Sequence, residues 1–253
     1  LSEIHYLFIS FGLSLFTCLL SWWREDGIAR DLFLSTIRTI VQLLILGFAL
    51  SWIFTHPSYL LIFVVSIFMT LNSALHSKTR IKNIYKGIFL DNLVATALTI
   101  WPLAIVCSLL LESDQWWKPE HFLPIIGMLL GNVLNGISLG IDQFTHELKS
   151  KKEEIISLIA LGASTSEATK NTFLRSLKVG LSPILNSMTS MGLVSIPGMM
   201  TGQILGGQNP SQAATVQIII MIFISIGAYL GSMMGIELAR KRLFNKWGIC
   251  CLR

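Results

Sequence analysis

The sequence predicts an all-α, polytopic membrane protein of about seven transmembrane helices. Its N-terminus is expected outside and its C-terminus in the cytoplasm, with a helix–elbow–helix element on the cytoplasmic side between spans five and six. Three observations lead there. First, 53% of the 253 residues are hydrophobic and only 13% are charged, about half the charge of an ordinary soluble domain. Second, several apolar runs approach the roughly 20 residues that a helix needs to cross a hydrocarbon core. Third, Lys and Arg are distributed with strong asymmetry between alternate loops.

Spans are predicted at 4–23, 36–55, 58–76, 88–110, 122–141, 185–206 and 213–235. In lipid every backbone polar group must be satisfied within the chain, so each apolar run must be helical. The first, "IHYLFISFGLSLFTCLLSWW", has no basic leader and reads as a true span, not a cleavable signal. The whole chain, 1–253, reads as a single transmembrane domain with a cytoplasmic segment, 142–183, inserted in it.

With the N-terminus outside, the inner loops and tail carry 18 of the 19 basic residues, and only Lys118 falls outside. The inner set comprises Arg24, Arg30 and Arg38; Lys78, Arg80, Lys82 and Lys86; Lys149, Lys151, Lys152, Lys170, Arg175 and Lys178; and Arg240, Lys241, Arg242, Lys246 and Arg253. The +5 net charge therefore reflects topology beside an anionic leaflet and calls for no nucleic acid. The outer loop "ESDQWWKPEHF" (112–122) is acidic, and its Trp116 and Trp117 suit the headgroup belt.

The two halves differ. Fourteen of the 19 glycines lie between residues 127 and 235, and many recur four apart: Gly127 and Gly131, Gly136 and Gly140, Gly198, Gly202 and Gly206, and Gly227, Gly231 and Gly235. Such stripes let helix backbones approach closely, so spans five to seven are expected to form the tightly packed core or a subunit interface. Cys18 and Cys107 fall within spans, whereas Cys250 and Cys251 sit in the basic tail; this is no disulfide framework.

The inner segment 142–183 is too charged to span. Leu148, Ile155, Ile156, Leu158, Ile159 and Leu161 recur at helical spacing, and Gly162 follows as a stop that tolerates left-handed geometry. Ser164 and Glu167 then fit a capping box that starts a second helix through Ala168, Phe173, Leu174 and Leu177, running to Gly180 and Pro183. A rigid elbow joined to a membrane helix suits either an interfacial amphipathic pair or a docking element for a cytoplasmic partner.

"LGASTSEA" (161–168) resembles the cytoplasmic coupling motif of ABC-transporter permeases. "GLVSIPGMMTGQILGG" (192–207), "GMLLGN" (127–132), "RTIVQLLILG" (38–47) and the asparagine of "FMTLN" (68–72) narrow the resemblance to the FetB-like iron-export permeases, which have plant relatives linked to aluminium tolerance. The likeness runs from about residue 30 to 240. It implies a permease that works as two copies with a separate ATPase, which would hold the ATP and Mg. It also implies that Leu161, Gly162, Ala163, Ser164, Glu167 and Ala168 contact that ATPase. Independently, the sequence holds no G-x-x-x-x-G-K-[ST] phosphate loop, so if transport is ATP-driven the nucleotide chemistry is expected on another chain, with this one a transport subunit and not an enzyme.

No strong metal-ligand motif is visible, and His5, His56, His76, His121 and His146 are scattered. Polar residues within spans are the better candidates for a pathway or gate, because burying them unsatisfied is costly. They are Gln42, Asn72 and Asn132, joined by Met128 and by Ser195, Pro197, Gly198, Met199 and Met200 around the Pro-Gly break of span six. Amide and hydroxyl oxygens can lend ligands to a hard cation or bond across helices. The methionines, soft donors ill-suited to iron, are expected to shape a pliable gate. Pro197 and Gly198 predict a hinge facing the packed interior or the transport pathway, not lipid. Asp91 favours a helix N-terminus with Lys86 a turn away, or else an entry site for cations.

Two other readings stay open at this stage. A seven-helix receptor fits the span count, although the last span has no lysine for a retinal Schiff base. An ion-gradient transporter would want a buried ionisable relay, and the span centres contain none.

Overall fold

The computed structural model describes residues 3–25, 27–56, 58–111 and 117–244. Trp116, Lys246, Cys250, Cys251 and Arg253 lie outside the described residues. Ten helices form and no strand does among the described residues. Contacts divide the chain into two compact units, Leu1–Pro57 and Ser58–Arg253.

The first unit is a hairpin of α1 (Glu3–Trp23) and α2 (Ala29–Thr55). Left-handed Glu25 and Gly27, at φ 54° and 75°, reverse the chain between them. Ser14 and Thr36 share a hydroxyl–hydroxyl bond of 2.8 Å across the hairpin, a form of polar glue usual between apolar helices. Arg30 and Arg38, expected in a loop, lie inside α2, which begins seven residues before the predicted span. Long basic side chains can snorkel from a helix end to water, so the apolar pattern alone does not mark where such a helix starts.

The second unit contains α3 (Tyr59–Arg80), α4 (Ile88–Leu111), α5 (Pro119–Ser150), α6 (Lys152–Ala160), α7 (Thr165–Ala168), α8 (Lys170–Ser190), α9 (Gly198–Leu205) and α10 (Pro210–Leu243). Proline opens both α5 and α10 at the position where its missing N–H costs nothing. Asn209 Oδ1 caps α10 by accepting from Ser211 N at 2.9 Å.

Helix α5 is the axis of this unit and packs against α3, α4, α8 and α10. Its buried Val133, Ile137 and Ile141 seat against the glycine face of α10. A Cβ on Gly231 would fall 2.6 Å from Val133 Cγ1, and one on Gly235 3.2 Å from both Ile137 Cγ2 and Ile141 Cδ1. Helices α5, α8 and α10 converge at Gly136, Gly180 and Ser232: a Cβ on Gly180 would lie 2.7 Å from the Gly136 carbonyl oxygen. The stripes expected at Gly136, Gly140, Gly227, Gly231 and Gly235 thus mark real close approaches.

Among the described residues five helices are long and apolar enough to cross a membrane: α2, α3, α4, α5 and α10. Helix α1 adds a shorter apolar stretch, Phe8–Trp23. The predicted sixth span, 185–206, is not one helix. Helix α8 ends at Ser190, and the eight residues of α9 reach only about 12 Å, far short of a bilayer. Nor does the elbow's second helix stop at Gly180 and Pro183; both lie inside α8, because Gly180 serves the crossing with α5.

Candidate functional site

The elbow is built by local hydrogen bonds at both of its ends. Helix α6 stops in a Schellman arrangement: Ala163 N donates to Leu158 O and Gly162 N to Ile159 O, both at 3.0 Å. Gly162 sits at φ 98°, a region closed to most side chains. Helix α7 starts with the capping box expected from sequence. Glu167 N donates to Ser164 Oγ at 3.2 Å, while the Ser164 amide and hydroxyl donate to Glu167 Oε2 at 2.8 and 2.6 Å. The Ser164 bonds hold the Glu167 carboxyl below its ordinary pKa. Between these ends Leu161 projects, 86% exposed, while Ala168 turns inward and is buried.

The elbow is tied to the end of α10. Arg240 donates to Ser166 Oγ at 2.7 Å, pairs with Glu237 and lies over the Phe173 ring, 5.9 Å from its centroid. Ser166, Glu167, Lys170, Phe173, Leu174, Glu237 and Arg240 line a cleft of about 450 Å³ there. Two residues further on, Arg242 grips Asp91, the carboxylate at the start of α4. The buried Tyr85 hydroxyl lies beside that carboxylate; burial first, then the Asp91 charge, raises its pKa. Arg80 also bonds Asn135 Oδ1, and Asp142 Oδ1 accepts from Lys82 N at 2.7 Å. The end of α3, the start of α4, the second half of α5, the elbow and the end of α10 are therefore held together at one pole of the unit. At the other pole Tyr59 and Trp117 approach with ring centroids 4.4 Å apart.

The Pro-Gly segment is a chain reversal. Ser190 O accepts from Val194 N at 2.8 Å, and Gly192, at φ 80°, donates its amide to Ser195 O at 2.9 Å. Pro197 does not kink a helix; it caps α9, and its carbonyl accepts from the amide and hydroxyl of Thr201 at 2.9 and 3.0 Å. The break comes before the proline, where Met191 turns extended and Gly192 takes its left-handed φ. Met199 and Met200 occupy the first turn of α9. The segment does not face the interior of the chain: Leu193 is 88% exposed, and a Cβ on Gly198 or Gly202 would meet nothing within 4 Å.

The remaining candidates do not converge. Gln42 is exposed on α2 of the first unit. Asn72 and Asn132 bond their own helices, Nδ2 donating to Phe68 O at 2.8 Å and to Met128 O at 2.9 Å. Among the described residues no three His, Cys, Asp or Glu side chains gather as a metal site.

The sequence profile of the family described as Uncharacterised protein family (UPF0014) matches residues 4–244. The chain belongs to that family. Among its UPF0014 relatives is the membrane protein YjkA of Bacillus subtilis (strain 168), 34% identical over 199 residues, covering 78% of each chain. The protein of Escherichia coli (strain K12) described as probable iron export permease protein FetB is 28% identical over 227 residues, covering 90% of this chain and 86% of its own. Protein ALUMINUM SENSITIVE 3 of Arabidopsis thaliana is 28% identical over 235 residues, covering 92% and 84%. No solved structure matches. This UPF0014 chain is thus a multi-pass membrane protein, all-helical among its described residues, with one relative named as a probable permease.

Sequence reasoning missed Arg240, Ser166, Arg242 and Asn92. The arginines were hidden in a positive-inside tail whose charge topology already explained. Asp91 was noticed with the wrong partner: its cation is Arg242, 151 residues away, and not Lys86.

Proposed function

We propose that this chain is the membrane-spanning permease subunit of an ATP-driven ABC transporter, exporting iron or another metal cation from the cytoplasm by alternating access. Residues 1–253 act as one permease domain, paired with a second copy, and a separate ATPase subunit supplies ATP, Mg and hydrolysis. The chain crosses the inner, plasma membrane seven times with its N-terminus outside, and α8 with α9 fills the sixth place. Leu161, Gly162, Ala163, Ser164, Glu167 and Ala168 form the motor contact. Gln42, Asn72, Met128, Asn132, Ser195, Pro197, Gly198, Met199 and Met200 border the path or its gate.

The observation that carries this reading is the elbow: a turn stiffened at both ends, with exposed Leu161 and a direct bond from Ser166 to α10. A force applied there enters two long helices, α8 and α10, without passing through a loose loop. The name of the Escherichia coli relative supports iron and export, and that of the Arabidopsis relative supports a metal cation more broadly.

The test is reconstitution with the cognate ATPase in vesicles, followed by metal-dependent ATP hydrolysis and flux. Replacing Gly162 and Glu167 is expected to abolish motor binding and transport together. Intact binding and transport would overturn the coupling assignment. Flux of other metals without any response to iron would remove iron and keep the permease.

A further inference from the structure

Asn92 is the starting point. Its side chain is fully buried on α4, and neither Oδ1 nor Nδ2 has a hydrogen-bond partner. One turn on, Thr96 is equally buried and its hydroxyl equally unpartnered. On α3 the hydroxyls of Ser73 and Ser77 are buried without partners as well. Helices α3 and α4 run antiparallel across the short link 81–87, and Trp101 Nε1 donating to Thr70 Oγ1 at 3.2 Å fixes their register. That register brings Ser73, Ser77, Asn92 and Thr96 to the same half of the hairpin, between Thr70 and the link, where α5 packs on both helices.

Small-residue packing accounts for the serines and the threonine, whose hydroxyls can rotate to a carbonyl of their own helix, as Thr70 and Thr99 do. It does not account for Asn92. Asn72 and Asn132 bond the carbonyl one turn back; Asn92 makes no such bond and faces inward. A buried amide with its bonds unmade carries the full desolvation penalty of its polar atoms, and native structures rarely keep one without a use.

We propose that the inner half of the α3–α4 seam, centred on Asn92, is a binding station for a hard cation, occupied when the two helices part. Its donors are one amide and three hydroxyls, neutral oxygens that suit an oxygen-seeking ion retaining part of its water shell. Asp91, the adjacent residue, is a buried carboxylate held by Arg242. That the cation is the transported cargo rests on the permease reading; the existence of a water-accessible cation station does not.

Two measurements test it without any ATPase. In a background lacking the four native cysteines, Thr96→Cys in vesicles is treated with a charged, membrane-impermeant thiosulfonate, with lipid-exposed Leu98→Cys as the control. Thr96→Cys is expected to react at least about tenfold faster than Leu98→Cys, and iron(II) or manganese(II), each added alone, to slow it; an unreactive Thr96→Cys, or one indifferent to both ions, overturns the station. Asn92→Leu is expected to raise the melting temperature in detergent, because it removes an unsatisfied amide at similar volume, and to remove the metal protection at Thr96→Cys. A lowered melting temperature, or protection that persists, makes Asn92 structural and overturns the proposal. Should wild-type vesicles show no ATP-driven flux, the permease reading fails while these two results still decide the station.

Discussion

Arg242 holds Asp91 through both carboxylate oxygens, Nη2 donating to Oδ1 at 2.7 Å and Nε to Oδ2 at 2.8 Å. The pair joins the last turn of α10 to the first turn of α4. Its two sides are unequal: the Asp91 side chain is 4% exposed and that of Arg242 43%. Arg242→Ala strands a carboxylate away from water, and breaking a buried pair from that side costs about 3 kcal/mol after allowing for screening on the open side. Asp91→Asn leaves a guanidinium that can still reach solvent, at about 1 kcal/mol. Thermal unfolding of both variants in detergent checks this ordering; equal losses would contradict the burial argument.

Gly87 belongs to the same clasp. It lies at φ 92°, and a Cβ there would fall 2.5 Å from Arg242 Nη1. Gly87→Ala is therefore expected to displace the guanidinium and weaken the pair. The displacement has no consequence once the arginine is gone, so Gly87→Ala should cost less in an Arg242→Ala background. A double-mutant cycle on melting should give a coupling on the order of 1 kcal/mol.

The elbow's capping box carries a pH dependence. The Ser164 hydrogen bonds depress the folded-state pKa of Glu167, so its contribution is in place above the ordinary glutamate range and is lost as pH falls through the depressed folded value. Hydrogen exchange at the amides of 164–168, expressed as protection relative to the intrinsic rate at each pH, should be strongly retarded at neutral pH and lose that retardation only in acid below that ordinary range. Ser164→Ala should accelerate it at every pH, removing about 1 kcal/mol of local helix stability.

What was legible in the sequence follows from which forces are local. Gly162, Ser164 and Glu167 announced the elbow because a Schellman stop and a capping box are satisfied within a few residues. The close helix crossings were announced by glycines four apart, since that spacing is set by the helix repeat. The fate of Pro197 was not legible. A proline signals that a helix cannot continue unchanged, but not where the chain turns, and here α8 stops at Ser190, ahead of the proline, where Met191 is extended and Gly192 left-handed. Asp91 with Arg242 was equally hidden, because the choice between Lys86 and Arg242 is made by the packing of α4 on α10. Asn92 was silent in the sequence, because whether a buried amide finds partners is decided by packing.

The glycines divide into two kinds with opposite expected behaviour. Gly180→Ala would drive a Cβ to 2.7 Å from the Gly136 carbonyl oxygen, and backbone atoms cannot swing aside. It is expected to lower stability by about 1–3 kcal/mol, the usual cost of overpacking a tight contact. Gly202→Ala meets nothing within 4 Å and lies within helix α9, so it should leave the stability of the single chain unchanged or slightly raised. Comparing their melting temperatures in detergent separates the glycines that this chain uses for its own packing from those it does not.

Arg240 offers the most direct test of transmission. Its guanidinium bonds Ser166 at 2.7 Å and Glu237 at 2.7 Å and lies over Phe173, so it links the elbow to α10 while standing behind exposed Leu161. If the elbow receives the motor through its exposed turn, Arg240→Ala leaves that surface in place and cuts the link behind it. Binding of the cognate ATPase should then stay within about twofold, while metal-stimulated ATP hydrolysis and flux fall about tenfold, equivalent to about 1.4 kcal/mol of lost coupling. Ser166→Ala should give the same pattern more weakly, because it removes one neutral acceptor and leaves the Phe173 and Glu237 contacts standing. Loss of ATPase binding itself in Arg240→Ala would place the arginine in the docking surface and would count against a transmitting role.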